Sequence, residues 1–167
     1  MALTTNLAVE LDADLTSALD LVTASSPISI RERIRLTSGT GAGAADMQWS
    51  DTRTLNASAS ESLDLAGSLT GPFGTTLTFA RIKLVLVMAA DGNTNDVQVA
   101  RDASAGAPLF LAASDGIAVK PGGLFLWCAP NAAGVAVTAT TGDILTVTNS
   151  AGSTSVTYSI VVLGASA

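Results

Sequence analysis

The 167-residue chain contains no histidine and a single cysteine, Cys128. Without histidine there is no Ser-His-Asp or Cys-His constellation, no imidazole metal ligand, and none of the commonest general base. One thiol allows neither an internal disulfide nor a cysteine-based zinc cage. Cys128 follows Trp127 in an apolar run, which suits a buried inert thiol better than a nucleophile. Charge is scarce too. Only 13% of the residues carry it, and 8 basic against 14 acidic side chains leave a formal charge of −6. Nucleic-acid affinity rests on Lys and Arg, so a nucleic-acid partner is not expected. No apolar run reaches the roughly 18 to 20 residues of a membrane-crossing helix. A membrane partner is not expected either, and the opening MALTTNLAVELDADL, with early acids and no basic n-region, is not read as a signal peptide. The sequon Asn56-Ala57-Ser58 is accordingly taken as an accident of a Ser-rich loop.

What is present is hydrophobic: 48% of the chain. A chain of this length buries about 70% of its unfolded surface in one domain. With so few charges left for the outside, some apolar or hydroxyl-rich surface is expected to be covered by a partner, and a homo-oligomer, most simply a trimer, is the expected form.

Short runs of Val, Ile, Leu and Thr bounded by Gly, Asn, Asp, Ser or Pro dominate the chain, which is the pattern of an all-β protein. Val156, Tyr158, Ile160 and Val162 share one face of a strand whose other face turns apolar at Val161 and Leu163. Further strands are predicted over 28–37, 62–65, 77–79, 81–88, 97–101, 109–112, 124–128, 135–140 and 144–148, with 149–153 as a hairpin turn into the last strand; that over 81–88 is read as a central strand with a solvated start, Arg81 and Lys83 lying on the side opposite Ile82, Leu84, Leu86 and Met88. Residues 3–22 fit both a helical and a strand spacing, and their Thr, Asp and Val favour strands. The cadence predicts a single-domain antiparallel β-sandwich over 1–167, jelly-roll-like, with 1–27 as an N-terminal arm and the Gly/Ala-rich 38–48 as a flexible loop.

Four features invite a chemical reading. Asp91, Asn93, Asn95 and Asp96 offer oxygen ligands, but Asp96 stands where a calcium loop needs glycine and Asp102 where it needs a bidentate glutamate, so a tight turn is the simpler account. Asp12, Asp14 and Asp20, or Glu61 with Asp64, are acids that spacing alone does not bring together across a cleft, and neither an enzyme nor a cofactor is expected. Arg31, Arg33 and Arg35 form a stripe on one face of a strand. This is either a solvated face or a surface that meets acids of a neighbouring subunit. Glu32 interrupts the opposite, apolar face and needs a partner if buried. Phe125 and Trp127 share one side of Leu124–Cys128 while Leu124, Leu126 and Cys128 share the other, so the strand is read as central and the rings as core, not as a sugar-stacking site.

The successions Ala118-Val119-Lys120-Pro121-Gly122-Gly123, Gly142 to Asn149 and Tyr158 to Gly164, with Trp49 to Leu55 and Leu63 to Gly67, resemble small β-sandwich structural proteins of tailed bacteriophage particles. That resemblance implies a virion component on the capsid surface, a decoration (cement) protein whose partner is the major capsid protein. It carries no functional residues over, because such proteins act through surfaces. A tail or fibre component and a carbohydrate-binding β-sandwich are the alternatives.

Overall fold

Val156, Tyr158, Ile160 and Val162 are all completely buried, as their period of two requires of a strand with one side in a core. In the computed structural model, which describes residues 2–130 and 133–167, 56% of the chain is strand and no described residue is helical. The strands are β1 (Thr5–Ala18), β2 (Thr23–Ser38), β3 (Ala44–Ala45), β4 (Met47–Leu55), β5 (Ser60–Asp64), β6 (Arg81–Ala89), β7 (Val97–Arg101), β8 (Gly116–Val119), β9 (Leu124–Cys128), β10 (Val135–Ala136), β11 (Ile144–Asn149) and β12 (Val156–Ala165). β4, β12 and β6 lie side by side with β9 and β10 on the far flank of β6, while β5, β11, β7 and β8 form a second antiparallel sheet. Trp49, Val85, Val87, Tyr158, Ile160 and Val162 from the first sheet meet Leu63, Val97, Val99, Val119, Leu145 and Val147 from the second in one core. The body is thus an all-β sandwich.

The chain alternates between the sheets. β4 passes to β5, β6 to β7, β8 to β9 and β11 to β12 by changing sheet, and hydrogen bonds lace these four connections together. Ser58 N–H donates to Ala151 O (2.9 Å), Ser150 N–H to Asp96 O (3.1 Å), and Gly122 N–H to Ala90 O (3.4 Å). The Lys120 ammonium pairs with Asp96 at 2.6 Å. Residues 149–153 therefore do not close a hairpin as expected: β11 and β12 sit in different sheets, β11 between β5 and β7 and β12 between β4 and β6.

Other departures have equally local causes. β9 is not central: it pairs with β6 alone, its Phe125 and Trp127 pack on the core, and Leu124 on its outer face is 64% exposed. β6 was expected to start wet, yet the register with β12 slips at Gly164, the extra residue Lys83 is fully buried, and the phase shifts so that Ile82 joins Val85 and Val87 in the core. Burial, with the neighbouring charge of Arg81, pulls the Lys83 pKa down. Residues 77–79 and 109–112 form no strands, and only Val135–Ala136 of 135–140 does; β4 and β8 were not foreseen. Within 38–48, Ala44 and Ala45 pair in parallel with Thr37 and Ser38 and are buried.

Candidate functional site

β1 and β2 form a two-stranded ribbon, paired from Thr5 opposite Leu36 to Ala18 opposite Thr23 and closed by a tip in which Leu19 N–H donates to Val22 O at 2.9 Å. The strand thus begins within the segment expected as an arm over 1–27 and continues through the arginine stripe to Ser38. Opposed residues share a face, so the register sorts the ribbon into two sides. One side pairs Asn6 with Arg35, Ala8 with Arg33, Glu10 with Arg31, Asp12 with Ser29 and Asp14 with Pro27. The other pairs Leu7 with Ile34, Val9 with Glu32, Leu11 with Ile30 and Ala13 with Ile28, followed by Leu15 opposite Ser26.

The acids that meet Arg31 are therefore its own chain's. Its guanidinium lies 2.9 Å from Glu10 and 3.6 Å from Asp12, all three side chains being more than half exposed. Exposed pairs of this kind contribute little to stability. The Ser29 hydroxyl, with help from Glu10 and Arg31 against a small burial cost, holds the Asp12 carboxyl below its ordinary value. Asp14 accepts a bond from Ser25 Oγ at 2.7 Å. Arg33 and Arg35 face Ala8 and Asn6, not acids.

The apolar side is bare. Leu36 at its base is buried, but Val9, Leu11, Leu15, Ile28 and Ile30 are 42 to 78% exposed, and Leu19, Leu21 and Val22 at the tip are 59 to 96% exposed. The β2 half of this face was legible as apolar, but neither its pairing with β1 nor its exposure was, because both follow from the register of the ribbon. The period-two signal for it, Leu7, Val9 and Leu11 against Ile28, Ile30 and Ile34, was present in the sequence.

The other candidate chemistry is consumed by structure. Glu61 and Asp64 project to opposite faces of β5; Glu61 accepts a bond from Tyr158 Oη (2.6 Å) and pairs with Arg53, whereas Asp64 accepts Ala66 N–H at 2.8 Å. Burial alone would lower the Arg53 pKa, but the Glu61 carboxylate outweighs it and raises it. Asn93 gives both amide atoms to the backbone of Thr157, at 2.9 and 2.8 Å, and Asn95 Nδ2 donates to Asn149 Oδ1 (3.0 Å) and Thr154 O (3.0 Å). Asp102 accepts the N–H groups of Ala105 and Ser104, both at 2.9 Å, which hold its carboxyl below the ordinary value. Among the described residues no group of three or more His, Cys, Asp or Glu converges as a metal site would require. Asn93→Ala is expected to cost about 1–2 kcal/mol, read from the urea midpoint, because it removes both side-chain bonds to Thr157 at once, although the Thr157 carbonyl keeps Ala90 N–H at 3.0 Å.

Cys128 lies half-buried on the outer side of β9, not fully buried as expected, and desolvation pushes its thiol up, away from the nucleophilic thiolate. Where the ribbon meets the body, a surface groove of about 500 Å³ runs between Leu3, Met47, Phe73 and Leu77. Its carboxylate, Asp46, is occupied by Ser166, whose N–H (2.9 Å) and hydroxyl (2.6 Å) it accepts. No protein-family model, curated protein or solved structure matches the chain.

Proposed function

We propose that this chain is a structural protein of a tailed-phage virion, acting without catalysis as a decoration protein on the capsid surface. The observation that carries the reading is the strand order. Eight strands of the body fill the four-strand rows β9-β6-β12-β4 and β5-β11-β7-β8, and between successive ones the chain changes sheet except from β7 to β8, which pair with each other. We read this winding as a jelly roll, an architecture shared by viral capsid and lectin domains. The ribbon favours the first of these two uses, because an apolar arm projecting from a sandwich suits burial between subunits, and repeated subunit contacts stabilise a shell without any reactive group.

The test is co-sedimentation of the purified chain with empty phage capsids, phage tail tubes and immobilised glycans. Saturable binding to capsids, unchanged by a chelator, is the expected result. Binding to tail tubes alone would move the protein to the tail, and specific glycan binding without capsid binding would replace the assignment with a lectin-like one.

A further inference from the structure

We propose that the apolar side of the β1–β2 ribbon is a self-association surface, covered by the same side of a second copy of this chain lying antiparallel to it. Two of three observations support a second copy over a foreign partner. The face and tip expose on the order of 800 Å² of apolar surface, about what each partner contributes to a standard interface and more than the largest patch of a typical monomer. An isolated two-stranded ribbon is marginal in water, so its cover must be available when the chain folds, before any other protein is met. Another copy meets that condition.

The third observation sets the orientation. Glu32, opposite Val9, is the one charge on the apolar side. Parallel ribbons would stack Glu32 on Glu32 in a desolvated layer, which is costly. An antiparallel pair centred on Ala13 and Ile28 instead sets Glu32 of each copy against the Ser17 and Ala24 end of the other. It also brings each leucine-bearing tip to the half-buried base of its partner, and the two-fold contact closes on itself. Arg31, Arg33 and Arg35 remain outside, in water.

This inference rests on the ribbon being the working surface and not on the identity of the larger particle, so it is tested without capsids. Light scattering of the full chain at micromolar concentration is expected to give twice the 16.7 kDa chain mass. In a Cys128→Ser background, Ala13→Cys is expected to be joined to its counterpart in the second copy by a thiol-reactive bifunctional linker, because facing sheets stand about 10 Å apart, too far for a direct disulfide, and Ala8→Cys on the polar side is not. Leu11→Asp with Ile30→Asp should weaken association at least about a hundredfold, while Arg33→Glu with Arg35→Glu leaves the dimer intact. The cross-link keeps the test decisive if the aspartate variant loosens the ribbon. A monomer, a trimer, cross-linking from Ala8 instead of Ala13, or dissociation by the arginine variant alone would each overturn the proposal.

Discussion

Glu61→Ala is expected to destabilise the fold by about 2–4 kcal/mol, a fall of roughly 10 °C in Tm for a domain of this size. Glu61 stands on β5, in one sheet, and reaches Tyr158 on β12 and Arg53 on β4, in the other. It is thus a polar tie across the sandwich interior. Truncation leaves the Tyr158 hydroxyl, on a fully buried ring, with no acceptor. Arg53 would keep Asp51 at 3.0 Å and the Trp49 ring at 5.3 Å, and its side chain is 33% exposed, so water offsets part of its loss. Glu61→Gln preserves an acceptor for the hydroxyl and is expected to recover about half the loss. A Glu61→Ala protein within 1 kcal/mol of wild type would show that the tie is not stabilising.

The same group gives a pH signature. Burial first, then the hydrogen bond and charge of Glu61, raise the pKa of Tyr158. The fold therefore favours the neutral phenol. This contribution is fully present below the unfolded value of about 10 and is lost as pH rises beyond it toward the folded pKa. Tyr158 is the chain's only tyrosine, so tyrosinate absorbance should appear together with unfolding and not before it.

The strand alternation was legible where one side of a strand is buried, as in 156–163 and 97–101, because period two is written directly into the residue types, whereas 124–128, apolar on both faces, read as central and is not. The sheet to which each strand belongs was not. Asn95 and Asn149 read as turn residues, and turn chemistry is the same whether a chain reverses within a sheet or crosses between two. Lys83 read as solvated because the bulge at Gly164, which changes the phase of β6, depends on a residue more than 80 positions away. The arginine stripe was legible as a face, but its acids, Glu10 and Asp12, follow from a register that sequence spacing does not contain.

Asn149→Ala is expected to cost about 3 kcal/mol, among the larger effects of a single polar substitution. The side chain is 2% exposed, at the end of β11. Its amide nitrogen donates to Thr154 O at 2.7 Å and Asn56 O at 3.0 Å, and its oxygen accepts from Asn95 Nδ2 at 3.0 Å. One amide therefore joins three of the connections that change sheet: β4 to β5, β6 to β7 and β11 to β12. Alanine would remove three hydrogen bonds from an enclosed site, and although Asn95 Nδ2 still reaches Thr154 O at 3.0 Å and Ala59 N–H still reaches Asn56 O at 3.0 Å, the side-chain link between the three connections is lost. Asn149→Asp retains the shape but turns a carboxylate toward those same carbonyls, so at neutral pH it is expected to be worse than alanine. The sign reverses on acidification, because burial among carbonyls raises the pKa of the new carboxyl, and its protonated form regains one donor. Urea unfolding at pH 7 and pH 4 should show the aspartate variant recovering at low pH relative to alanine. Equal behaviour of the two variants at both pH values would mean that Asn149 contributes only packing, and that the laced end of the sandwich is held by its backbone hydrogen bonds alone.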